Sequence, residues 1–327
     1  MPEGKMKGEF EFIHDIRKKF PSPDNVLGIG DDCAVIPQSS GMETLVSTDM
    51  LVEGSHFLLD DISPYRLGWK SAAVNFSDIA AMGGKPVGSF LALSLPDRLS
   101  GDGSWTDEFM RGYREISERY DFPLLGGDTT ASPDRLCICV TVLGQSVSGR
   151  SLKRSTAQPG DLICVTGTLG DSGAGLHAIL HGLERNSGEA PVLIDRHYMP
   201  RPRLAEGQDL ASCPFVNAMM DISDGIGSDL RHIMEESGVG AQIDLKNIPL
   251  SSELKSFCLT QGLDIYDFAL DGGEDYELLF TLSGDTPGDV LAELSDTVGC
   301  TVIGRITSDR RLDWLGSNKD YSGFRHF

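Results

Sequence analysis

Acidic residues set beside Gly, Ser and Thr at the ends of apolar segments are the chemically distinctive feature of this 327-residue chain. Six segments have this pattern: GIGDDCAVI, LVSTD, AAVNFSDIAAMGG, PLLGGDTT, AMMDISDGIGSDL and GGEDYELLF. Glycine lets the backbone turn sharply and approach a ligand closely, and carboxylates at such turns are suited to bind cations. Each segment alone also fits a plain turn or a cap. Their number in one chain favours a shared role in ligand binding.

Two of these segments place oxygen ligands most clearly. LVSTD ends in three adjacent oxygen-bearing side chains, Ser47, Thr48 and Asp49, a set suited to a hard cation such as magnesium. A helix or turn cap is the alternative for this segment. Asp78 lies inside an otherwise apolar helical run, where an unpaired carboxylate would be costly to bury. A metal ion or a cationic partner would remove that cost.

The other segments bring acidic residues to the ends of predicted strands. Asp128 follows two glycines, and Asp221 ends an apolar strand shortly before Asp224, which also fits a helix cap. An EF-hand loop is excluded because the twelfth position counted from Asp221 is His232 rather than Glu. Clustered carboxylates repel one another unless metal ions neutralise them, and magnesium held by carboxylates also binds substrate phosphates. The pattern therefore favours phosphoryl transfer with more than one metal ion.

Alternating strands and helices must position these residues, which predicts an α/β chain. The first half has predicted strands at 44–48, 87–95 and 136–144 and predicted helices at 71–82 and 106–120. In the second half, strands run into 221 and over 241–245, 276–282 and 300–306, while helices follow 170 and span 203–212 and 224–237. A polar stretch at 148–160 precedes the apolar run DLICVTG. We therefore expect two domains, 1–148 and 149–327.

Charge and composition limit the partners of this chain. Its formal net charge of −21 sets 49 acidic residues against 28 basic ones, which opposes attraction to nucleic acid or to anionic membranes. The N-terminus lacks the apolar core of a signal peptide, and no run approaches the roughly 18 apolar residues of a membrane helix. Seven scattered Cys without a Cys-x-x-Cys pair fit a reducing compartment. We expect a cytoplasmic protein that binds neither nucleic acid nor membrane.

Three other motifs carry weaker signals. TGTLGDSGAG follows a strand and opens a helix, but it lacks the Gly-Lys-Ser/Thr of a P-loop, so tight packing and ligand contact both stay open. Its GDSG does not complete Gly-x-Ser-x-Gly, which disfavours a nucleophilic Ser172. The His residues form no zinc motif. Arg150, Lys153 and Arg154 form a basic cluster that fits either solvated linker charge or contact with nucleotide phosphates.

Read in order, eight segments resemble the motif series of the thiamine-monophosphate kinase family: GEFEFI, GIGDDCA, VSTDMLVEGSHF, AVNFSDIAAMGG, LLGGDTT, VTGTLGDS, MDISDGI and GGEDYEL. GSHF and the terminal GFRHF point to this kinase within a wider group of ATP users that includes aminoimidazole ribonucleotide synthetase. The resemblance spans nearly the whole chain. It implies an N-terminal α/β domain that pairs with a second copy in a dimer-spanning β-barrel, a C-terminal α/β domain, and ATP in the cleft between them.

The resemblance also implies roles for individual residues. Magnesium ions would be held around the triphosphate by Asp32, Ser47, Thr48, Asp49, Asp78, Asp128, Asp221 and Asp224. ATP would be contacted by Gly127, Asp128, Arg154 and Ser223, and the catalytic set would be Asp49, Asp78 and Asp128. Substrate positions correspond to His56, Glu274 and Phe324. Some family members have Tyr where this chain has Phe324, so the aromatic face is kept and the hydroxyl is lost.

The activity implied by the resemblance is ATP-dependent phosphorylation of thiamine monophosphate to thiamine diphosphate, in thiamine diphosphate biosynthesis. The γ-phosphate would pass directly and in line, assisted by Mg²⁺, in a homodimeric enzyme. One alternative is a related ATP-dependent synthetase that activates an amide oxygen. The other is a nucleotide- or metal-binding regulator without catalysis. Selenophosphate synthesis is disfavoured because it would require a reactive Cys or selenocysteine ahead of the first Gly-Asp motif. The only N-terminal Cys of this chain, Cys33, follows that motif.

Overall fold

A computed structural model describes residues 9–19, 22–101, 103–183 and 188–324 of the chain. Gly8 of the GEFEFI motif and the last three residues of GFRHF lie outside these ranges. Within the described ranges, no helix combines the length and the apolar character that crossing a membrane requires.

Ten α-helices and eleven strands make up the described part of the chain. The helices are α1 (Glu9–Lys19), α2 (Pro64–Ala81), α3 (Ser104–Arg119), α4 (Asp171–Leu180), α5 (Ala190–Tyr198), α6 (Leu204–Ser212), α7 (Ile226–Ser237), α8 (Ser252–Gln261), α9 (Ile265–Asp271) and α10 (Gly288–Val298). The strands are β1 (Ala34–Pro37), β2 (Met42–Val52), β3 (Lys85–Pro96), β4 (Leu124–Ser132), β5 (Cys137–Val147), β6 (Leu162–Val165), β7 (Val216–Asp221), β8 (Gly240–Asp244), β9 (Leu278–Leu282), β10 (Thr301–Thr307) and β11 (Leu312–Leu315). The mixed α/β class predicted from the sequence is confirmed.

The first sheet has five strands in the order β1-β2-β5-β3-β4, all antiparallel except the β3–β4 pair. Alternate residues of β5 are buried, so one face of the sheet meets the core and the other does not. Helix α2 packs on β2 and β5 and against α3, and most of its residues are buried. The strand that ends this sheet, β4, is exposed along almost its whole length.

The second sheet has six strands in the order β11-β8-β10-β6-β9-β7, with only β11 and β8 parallel. All five residues of β9 are buried, which fits its place inside the sheet. Helix α2 also contacts β7 and α6, so this one helix touches both sheets. The Trp69 indole on α2 donates a hydrogen bond of 2.9 Å to the carbonyl of Pro200. The boundary placed at 148/149 falls between β5 and β6 and stays a prediction.

The sequence located most of the long elements but misplaced some of their ends. The helix predicted at 71–82 begins earlier, at Pro64, because Ser63 caps it: the Ser63 hydroxyl accepts a hydrogen bond of 3.3 Å from the Arg66 amide. The helix predicted from Asp224 begins later, at Ile226, because Gly225 has a φ of 97° and cannot join the helix. Local capping and backbone chirality account for both shifts.

Candidate active site

A cavity of about 290 Å³ lies where the two sheets meet α2. It is lined by Asp31, Asp32, Ser47, Asp49, Val74, Asp78, Arg154, Asp221, Ser223 and Tyr276. These residues come from the turn before β1, from β2, from α2, from the segment before β6, from the end of β7 and the residues that follow it, and from the segment before β9. Residues far apart in the sequence thus converge on one acidic cavity, and many of them are predicted site residues.

Three carboxylates form the centre of this cavity. Asp32, Asp78 and Asp221 each have an oxygen within 4.8 Å of the other two, and Asp32 and Asp221 are buried. Asp78 Oδ2 is buried and has no hydrogen-bond partner among the described residues. A buried carboxylate oxygen without a partner is unfavourable, whereas an oxygen-lined site of this kind matches the ligand preference of magnesium. The residues therefore fit the metal that the resemblance implies.

Neighbouring side chains hold these carboxylates in place. The Ser77 hydroxyl donates a hydrogen bond of 2.6 Å to Asp221 Oδ2, and the Ser47 hydroxyl hydrogen-bonds Asp78. The amide of Asp49 donates to Asn75 Oδ1 at 3.1 Å, which ties β2 to α2. Each contact fixes an acidic residue through an uncharged partner, so the negative charge of the group is not neutralised by these contacts.

The pKa values of the acidic residues rise because the carboxylates are buried beside one another. Burial, and then the charge of Asp32, raises the pKa of Asp31 to about 7. The same two causes raise the pKa of Asp221 to about 8. Burial, and then the charges of Asp49, Asp221 and Asp32, raises the pKa of Asp78 well above its usual value. Bound cations would relieve this repulsion and keep the group ionised at neutral pH.

Arg154 is the cation that the fold itself brings to the cavity. Its guanidinium forms an ion pair with Asp32, and its backbone amide donates a hydrogen bond of 2.9 Å to Asp31 Oδ1. Of the basic cluster of Arg150, Lys153 and Arg154, it is Arg154 that lines the acidic cavity. A guanidinium at the edge of a carboxylate group is well placed to bind a phosphate.

Two of the predicted substrate residues lie against the segment that follows β7. The Glu274 amide donates a hydrogen bond of 2.7 Å to the carbonyl of Ser223, and the Phe324 amide donates one of 2.9 Å to the carbonyl of Asp224. His56, near the end of β2, is among the groups that hold the pKa of Glu274 down. The structure therefore gathers the three predicted substrate residues near one flank of the acidic cavity.

Other predicted residues lie away from the cavity. Thr48 lies opposite Thr141 of β5, with 3.0 Å between their hydroxyl oxygens. Because adjacent strand residues point to opposite faces, Thr48 projects from the face of the sheet opposite to Ser47. Gly127 and Asp128 lie on the exposed strand β4. Their assignment to ATP and magnesium stays a prediction.

The TGTLGDSGAG turn is held by a carboxylate of the chain itself. Asp275 accepts hydrogen bonds from the amides of Gly170 at 2.6 Å and Ser172 at 3.1 Å, at the start of α4. A Cβ atom at Gly170 would lie 2.7 Å from the backbone nitrogen of Ala269, so the close packing requires glycine. Of the two interpretations left open by the sequence, this geometry favours tight packing.

Sequence reasoning missed several residues of the site. Tyr276 and Asp31 both line the cavity, but neither belongs to the predicted ligand or substrate residues. Lys70 was also missed, although it lies in the same apolar run of α2 as Asp78. A charged residue in an apolar helix is a usable signal because its burial demands a partner.

Comparison with known proteins gives matches over both sheets. One family model, AIR synthase related protein, N-terminal domain, matches residues 30–146, and another, AIR synthase related protein, C-terminal domain, matches residues 158–314. A curated thiamine-monophosphate kinase of Escherichia coli is 40% identical over 329 residues, which cover 98% of this chain and 98% of the relative.

Solved structures match in the same way. AaThiL complexed with AMPPCP and TMP superposes with a TM-score of 0.89 and 35% identity, covering 100% of both chains. Thiamine-monophosphate kinase from Stenotrophomonas maltophilia superposes with a TM-score of 0.78 and 36% identity, covering 95% of this chain and 98% of that one. The similarity therefore includes the elements that build the acidic cavity.

Proposed function

This chain belongs to the thiamine-monophosphate kinase family, and we propose that it transfers the γ-phosphate of ATP to thiamine monophosphate, giving thiamine diphosphate and ADP. This reaction is a step in the biosynthesis of thiamine diphosphate. It is a phosphotransferase reaction in which the acceptor is itself a phosphate group.

Two observations carry this proposal: carboxylate oxygens of Asp32, Asp78 and Asp221 lie within 4.8 Å of one another, and Oδ2 of Asp78 is buried without a hydrogen-bond partner among the described residues. These residues, with Ser47 and Asp49 beside them, would hold magnesium ions. Bound magnesium would neutralise phosphate charge during the transfer. Asp128 and Asp224 complete the proposed ligand set together with Thr48, which would have to bind through its backbone because its hydroxyl projects from the opposite face of the sheet.

The chain's own residues supply binding and orientation. Arg154 and Ser223, at the wall of the cavity, are proposed to contact ATP together with Gly127 and Asp128. No residue has to act as a general base, because the second pKa of a phosphate monoester is about 6 and the acceptor oxygen is already largely ionised at neutral pH. Catalysis then rests on alignment and charge, with Asp49, Asp78 and Asp128 in the catalytic set.

His56, Glu274 and Phe324 are proposed to hold the thiamine part of the acceptor. Glu274 and Phe324 are anchored through their backbone amides to the segment that carries Ser223 and Asp224. This common anchor supports an acceptor site next to the proposed ATP site. The ring of Phe324 is half exposed and provides an aromatic face for stacking.

We also propose that the enzyme is a cytoplasmic homodimer. The face of the first sheet opposite α2 leaves apolar side chains exposed, including Met50 at 57% and Phe90 at 40%. Leu125, on the exposed strand β4, is 52% exposed. An apolar sheet face and an unpaired edge strand are favourable surfaces for pairing with a second copy.

The test is incubation of the purified protein with magnesium, ATP and thiamine monophosphate, followed by separation of the products. Thiamine diphosphate and ADP are expected in equal amounts, and unphosphorylated thiamine should not replace the acceptor. Binding of ATP without formation of thiamine diphosphate would overturn the proposal and favour the synthetase or the regulator.

A further inference from the structure

A buried ammonium group lies behind the proposed acceptor site. Lys70 on α2 is fully buried, and its Nζ donates a hydrogen bond of 2.9 Å to Glu274 Oε2. The same Nζ lies 3.2 Å from Nε2 of His197 on α5, which is also buried. An ammonium group taken out of water requires a strong partner. The partner here is a residue proposed to bind substrate.

The contacts determine which nitrogen of His197 carries the proton. Burial, and then the charge of Lys70, lowers the pKa of His197 to about 3, so the imidazole is neutral at physiological pH. Lys70 has only hydrogens to offer, so Nε2 accepts and Nδ1 carries the hydrogen. Nδ1 lies 3.3 Å from Glu274 Oε2 and 3.0 Å from the Ser172 hydroxyl. Lys70 therefore donates to Oε2 of Glu274, and His197 Nδ1 lies 3.3 Å from the same oxygen while it hydrogen-bonds the Ser172 hydroxyl.

The backbone of Glu274 is held as firmly as its side chain. Its φ of 63° lies in the left-handed region, which a non-glycine residue adopts only at a cost in free energy. A Cβ at the preceding Gly273 would lie 2.4 Å from the Ser223 carbonyl oxygen, so the two segments approach as closely as glycine allows. Glu274 is consequently fixed beside Ser223, while 27% of its side chain stays exposed.

We propose that Lys70 and His197 are positioning residues for the acceptor: together they hold Glu274 Oε2, so that Oε1 faces the thiamine part of thiamine monophosphate. Both nitrogens approach Oε2, Lys70 Nζ at 2.9 Å and His197 Nδ1 at 3.3 Å, so Oε1 is the oxygen proposed to face the ligand. The acceptor class is a cationic heteroaromatic compound that carries amino hydrogens, as thiamine does with its thiazolium and aminopyrimidine rings. The inference rests on the proposed function and extends it to two residues outside the predicted site.

The charge of this network suits such a ligand. Burial is the largest single influence on the carboxyl group of Glu274 and disfavours its ionised form, but the charge and hydrogen bond of Lys70, with His197 and His56, together outweigh burial and lower its pKa. The carboxylate therefore stays negative at neutral pH and can attract a cation. Without Lys70, burial would raise the pKa of Glu274 and disfavour its charged form. Oε1 would also no longer be held in one orientation.

The first test compares Lys70→Met with Arg66→Met. Arg66 lies one turn earlier on α2 and also forms an ion pair with α5, at 2.9 Å from Asp195, but away from Glu274. We expect Lys70→Met to raise KM for thiamine monophosphate about tenfold or more, the loss typical of a hydrogen bond to a charged group. KM for ATP in Lys70→Met should stay within about twofold of the wild-type value. In Arg66→Met, KM for ATP and KM for thiamine monophosphate should both stay within about twofold.

Two further comparisons keep the test independent of folding in one variant. An Asn side chain can donate a hydrogen bond from the position of Nδ1, so His197→Asn should keep KM for thiamine monophosphate close to the wild-type value. A Gln side chain can donate only from the position of Nε2, so His197→Gln should raise this KM several-fold. Lys70→Met and Glu274→Gln should be strongly non-additive in a double-mutant cycle.

The outcomes separate the two proposals. A wild-type enzyme that makes no thiamine diphosphate would overturn the proposed function and the acceptor role of Lys70 with it. An active wild type, with folded Lys70→Met and His197→Gln variants that leave KM for thiamine monophosphate unchanged, would overturn the positioning role alone. Equal increases of both KM values in Lys70→Met would likewise reject it, because general damage to the cleft would explain them.

Discussion

Ser77 on α2 donates a hydrogen bond of 2.6 Å to Oδ2 of Asp221 at the end of β7, and both residues are buried. The next residue on α2 is Asp78, whose carboxylate meets Asp221 in the central group. One helical segment thus holds a carboxylate of the second sheet and supplies another of its own. The distance between these two acidic residues is set by α2 and not by a loop.

Ser77→Ala should weaken the use of magnesium without abolishing catalysis. Loss of the hydroxyl frees Asp221 to move, so the magnesium concentration for half-maximal rate should rise roughly tenfold, with little change in kcat at saturation. Activity measured over a magnesium titration checks this. Ser71→Ala is the matched control, because the Ser71 hydroxyl bonds the Gly68 carbonyl at 3.1 Å, away from the acidic residues. A wild-type titration curve for Ser77→Ala would contradict the expectation.

Asp78→Asn should separate activity from stability. The substitution removes a carboxyl group that burial and its acidic neighbours make costly to ionise, so the metal-free variant should melt at or above the wild-type temperature. Its kcat should fall by about 100-fold or more, and magnesium should raise its melting temperature less than that of the wild type. Thermal melts with chelator and with magnesium, beside a kinetic assay, measure all three. A folded Asp78→Asn enzyme with normal activity over a magnesium titration would remove Asp78 from the catalytic set.

Gly127→Ala should displace β4 and lower activity, whereas Gly126→Ala should be tolerated. A Cβ at Gly127 would lie 1.8 Å from the Leu91 carbonyl oxygen on β3, while one at Gly126 would make an ordinary contact of 3.4 Å with the Phe90 ring. The strand must therefore shift in the first variant, and Asp128 with it. We expect a loss of stability of about 1–3 kcal/mol for Gly127→Ala, measured by urea unfolding. Equal behaviour of the two variants would show that the strand adapts.

Phe90→Glu should dissociate the proposed dimer. Phe90 is 40% exposed on the open face of the first sheet, and a charge there would have to be buried on pairing. Light scattering on the wild type should give twice the chain mass of 35.4 kDa, and the variant should give the chain mass itself. Leu259→Glu is the control, because Leu259 on α8 is 86% exposed and lies outside that sheet. A monomeric wild type would end the proposal of pairing.

His197 should make the protein sensitive to acid. Its pKa in the folded state is about 3, against 6.5 for an unperturbed His, so between these values the unfolded chain binds the extra proton. Stability should therefore fall as pH falls through this window, by at most about 1.4 kcal/mol per pH unit from this residue. Urea unfolding at several pH values, compared with His197→Asn, measures this contribution. Parallel pH profiles for the two proteins would exclude it.

The α/β class, most of the long elements and the kind of chemistry were predictable from the amino-acid sequence. Asp78 was identifiable because a carboxylate in an apolar helix needs a cationic partner, and the structure places it in the carboxylate group. Arg154 could not be assigned from spacing, since a linker charge and a phosphate ligand have the same local sequence. Element ends were less predictable, because Ser63 and Gly225 act through cap geometry.

Which of these residues lie close together depends on how the chain packs in three dimensions. Ser47 and Thr48 are adjacent in the sequence, yet strand alternation sends them to opposite faces, so only Ser47 lines the cavity. Lys70 and Glu274 are separated by 204 positions and come together only when α2 packs against the second half of the chain. A sequence pattern shows which groups require a partner, because a charged residue within an apolar run can be recognised from its neighbours in the sequence. Which partner is present depends on long-range packing, which no local pattern contains.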